Sequence, residues 1–149
     1  MQLPLLGDLL RKLDLANLMQ NLGVMVGQGV PLLQALEVTR STASKAPFRQ
    51  ALLQVKEQVR DGASLSQALG ASRQFPSFVG SMVAVGEESG RLDGALLKVA
   101  GTYARQTERA LRAATTVLEP LLIVAIGLVV MFIVIAMLLP IFELSGLAQ

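Results

Sequence analysis

The chain has 149 residues, about the length of one domain, and 52% of them are hydrophobic, 16% charged and 4% aromatic. It contains no His, Cys or Trp, which excludes imidazole bases, thiolate nucleophiles, Cys/His zinc sites and disulfides. A net charge of +2 with so few aromatic side chains does not indicate a nucleic-acid partner. These exclusions argue against an enzyme, and no catalytic residue, metal site or cofactor is predicted.

The first 116 residues are punctuated by Gly and Pro and carry no alternating strand pattern, which predicts short helices. A first helix is expected to begin near Asp8 or Asp14 and to end at residues 27–29, where two glycines lie. Pro31 suits the first turn of a second helix, and Pro47 opens a third in the same way. The predicted buried face of the third helix consists of Phe48, Leu52, Val55 and Val59.

Three further helices follow. Ser64 and Gln67 match a capping box, which predicts a short fourth helix. Pro76 begins a fifth helix that Gly90 ends, and the sixth is expected to run from about residue 92 to about 139, bending if anywhere at Pro120. The predicted fold class is all-α: an antiparallel six-helix bundle whose last helix continues into a single transmembrane helix.

The apolar excess is concentrated near the C-terminus. The 23 residues from Pro120 to Phe142 include no charged side chain, and a helix of that length spans roughly 34 Å, enough to cross a bilayer core of about 30 Å. A protein of this size rarely surrounds so long an apolar helix on every face, so the segment is interpreted as a transmembrane helix rather than a core helix.

Charge asymmetry predicts the orientation. All 13 Lys and Arg residues lie in residues 1–116, and Arg105, Arg109 and Arg112 precede the apolar run. The positive-inside rule therefore predicts a cytoplasmic bundle and a periplasmic C-terminus. We expect a cytoplasmic helical bundle over residues 1–115, a transmembrane helix over 116–140 and a short periplasmic tail over 141–149, with no signal peptide.

The densest polar cluster lies between the fifth and sixth helices. Glu87 and Glu88 lie at a helix C-terminus, where the macrodipole disfavours negative charge, so a neighbouring group should offset them. Two interpretations stay open. The cluster of Glu87, Glu88, Arg91 and Asp93 is either a partner-binding site or a compact turn in which Asp93 caps helix six and Arg91 neutralises a glutamate.

A second polar feature, Glu119-Pro120, stands where the charge-free run begins. A carboxylate at that depth is costly unless it lies in the headgroup zone or pairs within a bundle. Glu119 is therefore either a functional residue or an interfacial side chain that reaches water. Together with Pro120, Arg105, Arg109 and Arg112 it forms the set of membrane-interface candidates.

Four motifs in order carry a resemblance to a known family. The chain resembles the C-terminal half of the type II secretion F and type IV pilus platform proteins (the GspF/PilC-like family) over nearly its whole length. The motifs are Gly29-Val-Pro31-Leu, Gly62-x-Ser64-Leu, Gly86-Glu-x-Ser-Gly90-x-Leu-Asp93 and Glu119-Pro120-Leu.

The resemblance implies an inner-membrane platform protein with two related cytoplasmic six-helix domains and three spans. The present chain has one bundle and one span, so it is expected to be a fragment of such a protein. Implied partners are a secretion or assembly ATPase (GspE/PilB-like), other inner-membrane platform proteins, pseudopilins or pilins, and the lipid bilayer. Self-association into a homo-oligomer is compatible with the sequence.

Type II secretion is preferred over type IV pilus assembly, although the residues separate the two poorly. A small channel or transporter subunit is the first rival, and its weakness is a single span without a polar stripe. A membrane-bound enzyme is the second, and no GxxxxGK[ST] or GxGxxG loop and no activated nucleophile supports it.

Overall fold

A computed structural model describes residues 4–146, and within them the regular secondary structure is entirely α-helical. Each of the first four helices packs against the next helix along the chain. In chain order the helices are α1 (Pro4–Gly27), α2 (Leu32–Thr42), α3 (Ala46–Arg60), α4 (Leu65–Ala71), α5 (Ser77–Glu88) and α6 (Leu92–Gly146).

Most helix starts agree with the sequence signals. Helix α2 begins directly after Pro31, and α3 has Pro47 in its first turn. Helix α1 differs, because it begins at Pro4 rather than at Asp8 or Asp14. Proline is favoured at the first helical position, where its missing N–H has no intrahelical partner, so Pro4 carries the same signal as the other two prolines.

Three helices end at a glycine with a left-handed backbone. After α1, the N–H of Gly29 donates to the Val26 carbonyl and the N–H of Val30 donates to the Met25 carbonyl, both at 3.0 Å. This pair of bonds is a Schellman motif, which satisfies carbonyls that the helix end leaves unpaired. The same geometry recurs in the chain, and the glycines concerned are Gly29, Gly62 and Gly90, with φ values of 85°, 105° and 68°.

The chain divides into two compact units between Glu108 and Arg109. The first unit contains a core to which α1–α5 and the beginning of α6 all contribute. The predicted apolar face of α3 is confirmed for Phe48, Leu52 and Val55, which are buried, while Val59 is only partly buried. From α6, the core takes Leu96, Val99, Ala100 and Tyr103.

The described part of the second unit, residues 109–146, consists of the rest of α6, which includes its apolar part. Among the described residues, α6 is the helix that is long and apolar enough to span a membrane; its best 18-residue window has a mean hydropathy of 3.3 and none of it is buried. The helix passes through Pro120 and Pro140 and reaches Gly146, beyond the predicted end near 139. The predicted limits at 115 and 140 refer to a membrane and stay predictions; residues 147–149 of the predicted tail lie outside the described residues.

An ion-pair network joins α2 to α3. The Glu37 carboxylate accepts hydrogen bonds from Arg40, one turn along α2, and from Lys56 Nζ of α3 at 2.8 Å. These two bonds lower the pKa of Glu37 from 4.5 to about 2, the Arg40 bond contributing most. The network therefore links the two helices through a carboxylate that stays ionised well into the acid range.

Stability should depend on Glu37 in a defined pH window. Because its pKa is lower in the folded chain than in the unfolded one, its contribution is present above pH 4.5 and is lost as the pH falls towards about 2. We expect thermal unfolding in neutral detergent to show a lower midpoint for Glu37→Gln than for the native chain at pH 6, and no difference near pH 2. The control is Glu57→Gln, which replaces an exposed glutamate of α3. If both substitutions lowered the unfolding midpoint equally at pH 6, the ion pairs of Glu37 would not be the source of the stabilisation.

Candidate functional site

The polar turn between α5 and α6 is built on the third of these Schellman motifs. Helix α5 ends at Glu88, and Gly90 adopts the left-handed conformation that reverses the chain. The N–H of Arg91 donates to the Gly86 carbonyl at 2.8 Å, and the N–H of Gly90 donates to the Glu87 carbonyl at 3.3 Å. Backbone hydrogen bonds alone therefore hold the conformation of the turn.

Glu87 points away from this turn and caps α4. Its Oε1 accepts a hydrogen bond from the N–H of Leu65 at 2.6 Å, and its Oε2 accepts one from the N–H of Ser66 at 3.3 Å. A carboxylate at a helix N-terminus is stabilised both by the unpaired N–H groups and by the helix dipole. The negative charge at the end of α5 is therefore offset by the beginning of α4.

The same end of α4 carries the predicted capping box, which is confirmed. The N–H of Gln67 donates to Ser64 Oγ at 3.2 Å, and the N–H of Ser64 donates to Gln67 Oε1 at 3.4 Å. Together with Glu87, the box satisfies three of the unpaired N–H groups at the start of α4. A helix of seven residues is too short to be stable by itself, so these bonds matter more here than on a longer helix.

The local ion pair considered from the sequence is not what offsets Glu87. Within residues 4–146, no ion pair connects Arg91 with Glu87 or Glu88. Asp93 is also not the cap of α6, because the helix begins at Leu92 and Asp93 lies inside its first turn. In that position the Asp93 carboxylate still interacts favourably with the positive end of the helix dipole.

Gly86 lets α5 and α6 approach closely. A Cβ at this position would overlap the Cβ of Ala95 and would lie 3.1 Å from the Arg91 carbonyl oxygen. Gly27, at the end of α1, faces the first turn of α6, where a Cβ would be 3.4 Å from Asp93 Oδ2. The ends of α1 and α5 and the beginnings of α4 and α6 are therefore linked through Gly27, Gly86, Glu87 and Asp93.

The exposed part of this region is Glu88 and Arg91. Both side chains are exposed, whereas Glu87 and Asp93 are half-buried. Glu88 lines an open groove of about 480 Å³ together with Glu87, Ala84 and residues 64, 66 and 67 at the start of α4. Of the four predicted partner-binding residues, Glu87 and Asp93 therefore pack within the unit, and Glu88 and Arg91 lie at its surface.

The membrane-interface candidates lie on α6. Arg105, Arg109 and Arg112 are exposed and follow the helical spacing i, i+4, i+7, so they share one side of the helix. Glu119 is exposed, and Pro120 lies inside the helix, where it cannot donate to the Thr116 carbonyl. Their role at a membrane surface stays a prediction.

Sequence reasoning missed two long-range contacts in this unit. The first is the Glu87 bond to α4, for which the signal was a short helix with unpaired donors. The second is Arg11 of α1, whose Nη2 donates to the carbonyls of Arg73 and Gln74 at 3.3 and 3.0 Å. Among residues 4–146, no group of three or more His, Cys, Asp or Glu side chains is arranged to hold a metal ion.

Comparison with known proteins gives a consistent result. Residues 18–140 match the family described as type II secretion system (T2SS), protein F. The chain is 37% identical to the type IV pilus assembly protein PilC of Myxococcus xanthus, over 99% of this chain and 35% of that protein. It is 34% identical to the type II secretion system protein F of Pseudomonas aeruginosa, over 99% and 36% respectively. The chain spans about a third of the length of these curated relatives.

Glu87 and Glu88 should differ sharply in their effect on stability. Glu87→Ala removes two bonds to the start of α4 and should lower the free energy of unfolding by about 1–2 kcal/mol. Glu88→Ala makes the same change in charge at an exposed position and should stay within about 0.5 kcal/mol of the native chain. Denaturant unfolding in neutral detergent, followed by the fluorescence of Tyr103, checks this pair; equal effects would contradict the capping role.

A second pair of substitutions tests the close approach of α5 and α6. Gly86→Ala should lower the free energy of unfolding by about 1–3 kcal/mol, because the new methyl group overlaps Ala95. Gly94→Ala, on the adjoining turn of α6, has open space around its Cβ and should be neutral or stabilising by up to about 1 kcal/mol. The same unfolding measurement applies, and a neutral Gly86→Ala variant would show that the two helices can separate at no cost.

Proposed function

Because the chain belongs to the type II secretion system protein F family, we propose that it is part of an inner-membrane platform component of a type II secretion system. In this role it would scaffold an assembly ATPase, other platform proteins and pseudopilins during pseudopilus assembly. The observation that carries the proposal is the family match over residues 18–140, which includes most of the first unit and the apolar part of α6.

The proposed location is the inner membrane, with the first unit in the cytoplasm. Residues 116–140 of α6 would span the bilayer, and residues 141–149 would face the periplasm. The charge distribution supports this orientation, because every Lys and Arg lies in residues 1–116. We also infer an antiparallel bundle for the first unit, supported by packing between consecutive helices that short loops connect.

We propose that Glu88 and Arg91 contact a partner, while Glu87 and Asp93 hold the turn in place. Two opposite charges lie exposed on a turn that Gly86 packing and a Schellman motif make rigid. Rigid presentation of charged side chains favours specific recognition, because little ordering entropy is lost on binding. The open groove beside Glu88 gives such a partner room for a basic side chain.

Type IV pilus assembly is the second candidate. Relatives named for it are 33–38% identical to this chain, and relatives named for type II secretion are 34–35% identical. Because these ranges overlap, identity does not separate the two machines. Both candidates share the same proposed platform role, and the phenotype of the source bacterium distinguishes them.

Removing the coding region from the source bacterium tests the platform role. We expect loss of enzyme secretion into the medium if the machine is type II, and loss of surface pili if it is type IV. The chain is then reintroduced at its own locus with the substitution Glu88→Lys. This variant should lower enzyme secretion or the number of pili at least fivefold, while the amount of the protein in the membrane stays the same, because charge reversal opposes the partner's basic group. Glu57→Lys on α3 is the matched control.

Two results would contradict these proposals separately. A deletion strain that secretes and makes pili normally would contradict the platform role. A Glu88→Lys strain with full activity in a background where the deletion is defective would leave the platform role intact and remove Glu88 from the docking surface.

A further inference from the structure

A small basic pocket opens in the first unit, away from the α5–α6 turn. Its walls come from the N-terminal half of α1, the loop between α4 and α5, and Tyr103 of α6. Three of its side chains are cationic, Arg11, Lys12 and Arg73, and one is acidic, Asp8. Leu15 and Pro76 form the apolar part of the wall. The pocket is thus lined by parts of the chain that lie more than 60 residues apart.

Arg11 is held in place by the loop that it contacts. Its Nη2 donates to the carbonyl oxygens of Arg73 and Gln74 at 3.3 and 3.0 Å. These bonds fix the guanidinium plane at the pocket wall and leave its other N–H groups without a partner among the described residues. Because a guanidinium presents five donors, a ligand can bind Arg11 without breaking the contacts that position it.

Lys12 and Arg73 add positive charge on the two sides of the pocket. Lys12 Nζ is paired with Asp8 Oδ2 at 2.8 Å, one turn earlier on α1. The Arg73 side chain is exposed and has no hydrogen bond or ion pair with any residue in 4–146. With three cations and one carboxylate, the lining has an excess of two positive charges.

Tyr103 supplies a neutral donor. The residue is 6% exposed, and its ring packs edge-on against Phe78, with the ring centres 6.3 Å apart. Burial raises the pKa of Tyr103, with Lys12 acting weakly in the opposite direction. The phenol therefore keeps its proton at neutral pH and can donate a hydrogen bond into the pocket, where its oxygen has no partner among the described residues.

The size and charge of the pocket select the ligand. Its volume is about 210 Å³, below the roughly 300–1,000 Å³ of sites for drug-sized ligands, so it fits a single small group. A phosphate carries up to two negative charges and three strong acceptor oxygens, which matches an excess of two positive charges and donors on three sides better than a carboxylate does. We propose that this pocket, formed by Arg11, Lys12, Arg73 and Tyr103, binds a phosphate group.

The phosphate has two chemical sources, a lipid headgroup and a soluble phosphate, and the test separates them. Tyr103 is the only tyrosine and the chain has no Trp, so its intrinsic fluorescence reports on the pocket directly. The full chain in neutral detergent is titrated with inorganic phosphate in one arm and with short-chain phosphatidic acid, a phosphate monoester, in the other. Sodium chloride at equal ionic strength measures the effect of screening alone.

We expect a saturable change in Tyr103 fluorescence with at least one of the two probes. Tighter binding of phosphatidic acid identifies a lipid headgroup as the ligand, and tighter binding of inorganic phosphate identifies a soluble ligand; both outcomes support the site. No saturable change with either probe, or the same change with sodium chloride, would overturn the proposal.

A matched pair of arginine substitutions ties the signal to the pocket. Arg73→Gln should weaken binding about tenfold, the effect of losing one charge-assisted hydrogen bond. It should leave folding unchanged, because the native side chain makes no bond within the described residues. Arg60→Gln makes the same change in charge at the exposed end of α3 and should weaken binding less than twofold. Equal weakening by both substitutions would also overturn the proposal.

Discussion

The close approach of α5 and α6 at Gly86 is the constraint on which the polar turn depends. Only a residue without a Cβ allows Ala95 to pack against this turn of α5, and the chain can then reverse within three residues because Gly90 takes a left-handed conformation. The last turn of α5 also lies beside the beginning of α4, because α4 and α5 pack directly against each other, and there Glu87 reaches the N–H groups of Leu65 and Ser66. The polar turn therefore combines the α5–α6 approach at Gly86 with the α4 cap at Glu87.

The short segment 86–91 therefore has two structural roles, one in packing and one at the surface. Gly86 and Glu87 face inward and determine how three helix ends meet, whereas Glu88 and Arg91 face outward. A substitution in the inward group would change the position of the outward group, so loss of activity in such a variant says little about partner contact. The two neighbouring glutamates separate these roles, because they carry the same charge and differ in what they touch.

Sequence patterns predicted the features that depend on near neighbours. The capping box of Ser64 and Gln67, the prolines at helix starts and the terminal glycines all act within about four residues, and each was found where the pattern indicated. Contacts between distant segments were not predictable, since the partner of Glu87 lies 22 residues away and that of Arg11 lies 62. For Glu87 the sequence indicated that its charge had to be offset but offered only local candidates, Arg91 and the N-terminus of the next helix, because short-range pairs are the only ones that spacing reveals.

Helix α6 changes surroundings along its own length, and this change accounts for the composition of the chain. Up to Thr107 it buries one stripe in the first unit, as an amphipathic helix does. From Leu121 to Leu144 its large apolar side chains are 44–74% exposed on all sides, an arrangement that is stable only when something apolar surrounds the helix. Between Pro120 and Phe142 there are 16 Leu, Ile, Val and Phe residues, which together favour bilayer insertion by roughly 5–10 kcal/mol. That exceeds the roughly 2.5–3.5 kcal/mol that a charge costs at mid-membrane, so the run would favour insertion even if Glu119 entered the bilayer; a position of Glu119 at the membrane boundary stays a prediction.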